Sequence, residues 1–385
     1  MRVVIDSRWI FRELSGIGLY TRELIRHLPE IDTENEYHLI FDDIEVMERE
    51  KAETGFDTAA NFSVAFTDSG VFSARSQLAL PGMLKRLRAD VFHSPNYMIP
   101  FRAFPRNQLG GTGCVITVHD LIPLLFPHYT PRAIKTRFFP VFKRVMRETA
   151  ARADVVIAPS NSTRRDIAEY LYSGKEDAGR IEVIYQGVSS DYIPASISDG
   201  REPVILYVGR HDPYKNVSKL IEAYARLRSR GVLAGLRIVG SDDERYPEAR
   251  ETAHRFNVDE FIQWDGYLDG AGLIDAYQQA DVFVLPSRYE GFGLTVLESM
   301  ACGTPVVCGN RSSLPEVVGD AALTVNPDSV EQIEAAIASL LGDPDLAARM
   351  RVVGLKRAMK FTWRRTSEAT ADVYRAVAEN IERTK

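Results

Sequence analysis

An apolar run closed by Pro-Ser occurs twice in this chain, as "ADVVIAPS" (Ala153–Ser160) and as "ADVFVLPS" (Ala280–Ser287). A looser version, "ADVFHSP" (Ala89–Pro95), precedes them. Each reads as a short buried strand stopped by proline, and a helix follows each of the two full copies. Strands that alternate with helices imply parallel sheets with helices on both faces, here two doubly wound α/β domains. The openings of the two halves agree. "RVVID" (Arg2–Asp6) leads through a loop into "SGIGLYTRELIRHL", and "PVILYVGRHDPYKNVSKLIEAYARL" repeats strand, turn and amphipathic helix, with Leu220, Ile221, Tyr224 and Leu227 on one face. "SSDYIPASISDGREP" between them, rich in Ser, Pro and Asp, reads as a connection. The expected division is residues 1–195, residues 196–362, and a closing helix over 363–385. In that helix Ala369, Val373, Val377 and Ile381 recur at four-residue steps, which predicts packing back across the junction.

A chain of 385 residues is long for one core. Its net charge of −6 argues against a nucleic-acid binder. Cys114, Cys302 and Cys308 form neither a disulfide framework nor a zinc spacing, and a reducing cytoplasm is the expected home. The N-terminus meets Asp6 after three apolar residues and reads as no signal peptide. No run approaches the roughly 18 apolar residues of a membrane span.

In doubly wound sheets, ligands bind beyond the carboxyl ends of the strands, where the Ser, Pro and Gly turns of this chain fall. "SRYEGFGLTVLESMACGTPVV" (Ser287–Val307) starts at one such end. It places Glu290 in a glycine turn and Glu298 about one turn into a helix expected from Leu294 to Cys302 and stopped by Gly303. The backbone N–H groups of Gly291, Phe292, Gly293 and Leu294 are then donors at a helix start, an anion site beside a carboxylate. A ligand carrying both phosphate and hydroxyls, such as a nucleotide sugar, suits that combination. "GRHDPYKNV" (Gly209–Val217) adds Arg210, which can clamp phosphate oxygens, and Lys215, a mobile point charge. Two cations and a helix start can neutralise a leaving diphosphate, so no metal is required; Asp242-Asp243-Glu244 reads as a solvated loop. In the first half, Gly16 and Gly18 of "SGIG" leave backbone open to close approach, and His119 falls at the end of a strand over Val115–Val118.

Taken together, these motifs resemble a retaining family 4 glycosyltransferase of GT-B architecture, two Rossmann-like domains facing each other across a cleft. The likeness runs from the first glycine loop to the closing "FTW" helix and rests on Glu290-GFGLTVL-Glu298, followed by "MACGTPVV", together with the glycine, arginine, lysine and asparagine of the second-half loop. The resemblance implies that Glu298 accepts hydrogen bonds from the ribose hydroxyls and that Glu290 holds sugar hydroxyls near the reacting carbon. It also implies that Gly291–Leu294 cradle sugar and diphosphate, and that Arg210 and Lys215 stabilise the departing diphosphate. The same resemblance implies that His119 contacts the donor sugar, that Gly16 and Gly18 line the diphosphate, and that backbone around Gly266–Leu268 reads the base. One departure stands out: Tyr185-Gln186-Gly187 occupies the turn where the family usually has Asn-Gly, which leaves that turn's role open.

The stretches "VHDLIPLLFP" and "SGIGLYTREL" are similar to enzymes that use GDP-mannose or related GDP-sugars in polysaccharide assembly. A UDP-sugar donor is the alternative, and a non-catalytic sugar-nucleotide-binding protein is a second. The expected acceptor is a glycan or a lipid-linked saccharide; no further cofactor is expected. An epimerase or dehydrogenase lacks its dinucleotide fingerprint here, and nothing in the sequence marks a pyridoxal phosphate site. Finally, Phe101–Ala150 carries eight basic residues against Asp120 and Glu148, with Phe138, Phe139, Phe142 and Val145 between the cations. That composition suits peripheral contact with an anionic membrane, such as the inner face of the cytoplasmic membrane, although Pro140 is expected to interrupt a continuous helix.

Overall fold

The computed structural model describes residues 1–106, 111–127, 139–172, 180–195 and 200–384. Among the described residues the chain forms two compact units, each with its own parallel sheet. The first unit takes the described parts of Met1–Leu124, Phe138–Gly187 and Trp363–Lys385; the second takes those of Leu125–Arg137 and Val188–Thr362.

In the first unit, β1 (Arg2–Asp6), β2 (Glu36–Phe41), β3 (Phe62–Phe66), β4 (Val91–Ser94), β5 (Gly113–Thr117), β6 (Val155–Ala158) and β7 (Ile181–Val183) stand in the order β3-β2-β1-β4-β5-β6-β7. In the second, β8 (Val204–Val208), β9 (Gly235–Val239), β10 (Ile262–Asp265), β11 (Val282–Leu285), β12 (Val306–Gly309) and β13 (Leu323–Val325) stand in the order β10-β9-β8-β11-β12-β13. Every pairing is parallel. Strands covered on both faces must be apolar almost throughout, and the two Pro-Ser repeats supply β6 and β11. Both sheets reverse direction beside their first strand, between β1 and β4 and between β8 and β11. Ligands of such sheets bind at that reversal, outside the carboxyl ends.

Helices cover the faces as their spacing predicts. Leu220, Ile221, Tyr224 and Leu227 are all buried on the helix Val217–Ser229. The closing helix, Trp363–Thr384, buries Val373, Val377 and Ile381 within the first unit. Gly113 of β5 makes that packing possible, because any side chain there would collide with Val377 and Ile381. Pro140 does not end the helix: among the described residues, Phe139–Arg152 is helical and runs on past it. Arg132, Lys135, Arg137 and Phe138 of the basic stretch lie outside the described residues.

Candidate active site

The reversal point of the second sheet gathers the charged residues expected from the sequence. The loop after β8 begins with Gly209, held at φ +149°, and closes on Asn216 at φ +63°. Gly209 and Gly240, which follow neighbouring strands, meet backbone to backbone; a side chain on Gly240 would collide with the Gly209 carbonyl. Tyr207 pins the same loop by donating from its hydroxyl to the Arg210 carbonyl at 2.6 Å. Asn216 donates its side-chain amide to the Pro327 carbonyl, so the end carrying Lys215 is fixed too.

Lys215, from the loop after β8, and Glu290, from the loop after β11, meet as an ion pair. Lys215 Nζ lies 2.7 Å from Oε1 and 2.8 Å from Oε2, so one ammonium engages both carboxylate oxygens. Both side chains are largely withdrawn from water. The Glu290 turn is braced from the next strand along: Glu290 N–H donates to Ser312 Oγ at 2.8 Å, and Ser313 Oγ bonds the carbonyls of Glu290 (2.8 Å) and Phe292 (2.9 Å). Arg210 behaves differently. Its guanidinium is two-thirds exposed and, among the described residues, pairs with the buried Asp212 at 2.9 Å.

The helix Leu294–Ala301 starts at Gly293, whose φ of +102° suits glycine, and a side chain there would press on Leu314. A glycine cap brings no side-chain acceptor to the first turn. Glu298, five residues into this helix, is 6% exposed. Tyr277 donates to its Oε2 at 2.7 Å, and Tyr192 adds a second hydroxyl. Burial raises its pKa to about 7 against the opposing pull of those two hydroxyls. Glu290 and Glu298 thus share a motif but not an environment: one is held by a cation, the other by neutral donors in an apolar wall.

In the first unit, Ser15 caps the helix Gly16–Ile31 by accepting from Gly18 N–H at 3.2 Å, which sets both glycines in the first turn after β1. His119 follows β5 and is half-buried. Its Nε2 lies 3.0 Å from the Pro95 carbonyl and its Nδ1 3.0 Å from the side-chain amide nitrogen of Gln186. Burial lowers its pKa to about 4. At the proposed base-reading loop, Gly240 N–H donates to the carbonyls of Asp265 (3.2 Å) and Gly266 (3.1 Å). Asp243 pairs with Arg245 and Asp242 with Arg250, so these two acids are solvated surface partners of arginines.

Several supporting residues were not legible from motifs. Tyr277 and Tyr192 lie far from Glu298 in sequence, and nothing local marks them. Ser312 and Ser313 had a usable signal, since "NRSS" follows a strand at the same carboxyl edge. Gln186 stood in plain view as the departure from Asn-Gly.

The pattern of the family described as Glycosyltransferase Family 4 matches residues 14–192, and that described as Glycosyl transferases group 1 matches residues 189–357. The chain is 29% identical over 401 residues to the O-antigen chain mannosyltransferase B of Escherichia coli, covering 97% of this chain and all of the other. It is 30% identical over 294 residues to a glycogen synthase of Mycobacterium tuberculosis, covering 75% of this chain and 69% of that one. Its fold superposes on sucrose-phosphate synthase from Thermosynechococcus elongatus with a TM-score of 0.77 at 20% identity, over 97% of this chain and 98% of the other. The chain belongs to the family 4 glycosyltransferases of GT-B fold, and it is a glycosyltransferase.

Proposed function

We propose that the chain is a retaining, metal-independent mannosyltransferase that moves mannose from GDP-mannose to a glycan or lipid-linked saccharide. The observation that carries the chemistry is the Lys215–Glu290 pair at the sheet reversal, beside a helix start with no side-chain cap. In transfer, the bond from the anomeric carbon to the diphosphate oxygen breaks as positive charge grows on the sugar. A bond to an acceptor hydroxyl forms, and the hydroxyl proton passes to the departing phosphate. Lys215, Arg210 and the amides of Gly291–Leu294 favour the diphosphate most at full negative charge, so they lower the barrier rather than only bind. Glu298 receives the ribose hydroxyls in place of its tyrosines, and Glu290 holds sugar hydroxyls. His119, Gly16 and Gly18 are the candidate ligand-facing residues of the first unit.

Retention by same-face attack fits Glu290 better than a covalent intermediate does, because both its oxygens are engaged by Lys215. A hydrolytic carboxylate pair is disfavoured because Glu298 faces Tyr277 and Tyr192. The mannosyl choice draws support from the E. coli relative named a mannosyltransferase. A panel of GDP- and UDP-sugars, scored by nucleoside diphosphate release with and without EDTA, tests donor and metal together; product anomeric NMR tests retention. Turnover with UDP-glucose and none with GDP-mannose would overturn the donor, an inverted product the stereochemistry, and activity abolished by EDTA the metal independence.

Peripheral membrane contact is a second proposal, carried by the helix Phe139–Arg152. Phe142 packs against Tyr97 (5.5 Å between ring centroids), while Arg144, Arg147 and Val141 are exposed. Each cation near an anionic surface contributes roughly 1 kcal/mol. Cosedimentation with anionic vesicles at low salt, lost at high salt and on charge reversal at Lys143, Arg144 and Arg147, is the expected result. No binding at low salt would favour a soluble acceptor.

A further inference from the structure

We propose that Gln186 is the positioning residue of His119: its amide N–H donates to Nδ1, fixing the ring as the neutral Nε2–H tautomer, an oriented apolar-edged ring and not a proton carrier. A carbonyl oxygen can only accept, so the 3.0 Å contact between Nε2 and the Pro95 carbonyl requires a proton on Nε2. The state of Nδ1 then decides the charge of the ring, and Gln186 faces it at 3.0 Å. With its NH₂ toward the ring, Nδ1 is a bare acceptor and the imidazole is neutral. With its carbonyl oxygen toward the ring, Nδ1 would need a proton and the ring would be a cation.

The surroundings favour the neutral arrangement. The groups that face His119 are the Pro95 carbonyl, the Gln186 amide and the edge of Tyr20, whose ring centroid is 4.9 Å away at an interplanar angle of 77°. Tyr20 in turn shares the Thr117 hydroxyl (3.1 Å) with Nε2 of the buried His93 (2.9 Å), and Nδ1 of His93 lies 2.6 Å from the Tyr374 hydroxyl. Among the described residues no carboxylate pairs with His119, so nothing there offsets the cost of burying a cation.

The closing helix holds Gln186 in place from the other side. Thr366 Oγ1 donates to the carbonyl of the preceding Tyr185 at 2.7 Å, so the backbone that aims the amide is tied to the same helix that supports His93. Gln186 itself is 5% exposed. The departure of this turn from Asn-Gly thereby acquires a reason, since the longer side chain spans to the ring of His119.

This inference rests on the reading in which His119 serves the transfer, but its first test needs no substrate. Imidazole nitrogen and proton spectra of the full chain, labelled on histidine, should show His119 as the Nε2–H tautomer with no titration between pH 5.5 and 8. Gln186→Glu places an acceptor-only group at Nδ1 and should convert His119 to the imidazolium near neutral pH, with the other histidines of the seven unchanged as a fold control. Gln186→Asn, too short to span the gap, should keep the ring neutral. In turnover assays Gln186→Asn should lose kcat on the order of tenfold, what one lost hydrogen bond of about 1.4 kcal/mol gives; Gln186→Glu should lose a similar factor because the ring becomes a cation, and it alone should acquire an imidazole titration in its pH profile. A wild-type ring that titrates above pH 6, carries its proton on Nδ1, or ignores Gln186→Glu overturns the proposal. So does an altered tautomer with wild-type turnover, which would leave the glycosyltransferase reading standing; absence of transfer by the wild-type chain with any donor would instead be a failure of that reading.

Discussion

The two Pro-Ser turns start from nearly the same sequence and end in different chemistry. After β6, Ser160 is itself the helix cap, and its Oγ accepts from Thr163 N–H at 3.0 Å. The helix start is closed by the chain's own hydroxyl within two residues of the strand. After β11, Ser287 is buried and its hydroxyl has no hydrogen-bond partner among the described residues. Six further residues, Arg288–Gly293, intervene before the helix, and the cap is glycine. Those residues carry Glu290 to Lys215, and no side chain caps the helix start. One turn is capped by its own serine; the lengthened turn is capped by glycine and carries the residues proposed to meet the ligand.

The largest expected effect comes from removing the cation that the lengthened turn meets. Lys215→Ala should lower kcat on the order of 10²-fold, because its benefit grows with charge on the leaving diphosphate. It should also cost about 3 kcal/mol of stability, since Glu290 is then left withdrawn from water without its partner. Glu298→Ala should mainly raise the donor KM, because ribose contacts exist in both ground and transition states. Steady-state kinetics and urea unfolding of the two variants separate the roles. Equal, mild effects from both would sink the assignment.

Much of this architecture was readable in advance, and the reason is the period of its signals. Buried parallel strands are short apolar runs, so β1, β6, β8 and β11 announced themselves, and the helix face of Leu220, Ile221, Tyr224 and Leu227 followed from spacing. The Glu290 turn was legible because glycine and proline punctuate it. What stayed hidden depends on contacts between distant residues: the two hydroxyls on Glu298, and the bidentate grip of Lys215 on Glu290. Arg210 was expected as an equal partner of Lys215, yet it stands exposed against Asp212. Sequence spacing carries no information on which of two neighbouring cations turns inward.

A pH comparison sharpens the contrast between the two glutamates. Burial raises the Glu298 pKa from 4.5 to about 7. Because the folded value lies above the unfolded one, the folded state holds the proton longer, and stability falls as pH rises from about 4.5 to 7. The contribution is at most about 3 kcal/mol by linkage, and less where water reaches the carboxyl. Urea midpoints of wild type and Glu298→Gln, measured from pH 4.5 to 8, should diverge in favour of the variant as pH rises. Donor affinity of the wild type should move the other way, strengthening through pH 7 as the carboxylate becomes a full acceptor. Parallel stability curves would mean that Glu298 titrates normally and that its tyrosines offset its burial.

The smallest effects bear directly on the two serines. Ser160→Ala removes a cap and should cost about 1 kcal/mol, with kcat and KM unchanged, because the hydroxyl it deletes caps the helix Asn161–Tyr170. Ser287→Ala removes a buried hydroxyl that has no partner, so little is lost beyond a few contacts, and stability should stay close to wild type. Thermal or urea unfolding of the pair, beside donor kinetics, reads both outcomes. A stability loss at Ser287 equal to that at Ser160 would show that the second hydroxyl bonds within the turn after all, and the two turns would then differ in length alone. A raised donor KM with unchanged stability in Ser287→Ala would point the opposite way: the hydroxyl left unsatisfied by the chain would be one more group that the lengthened turn reserves for its ligand.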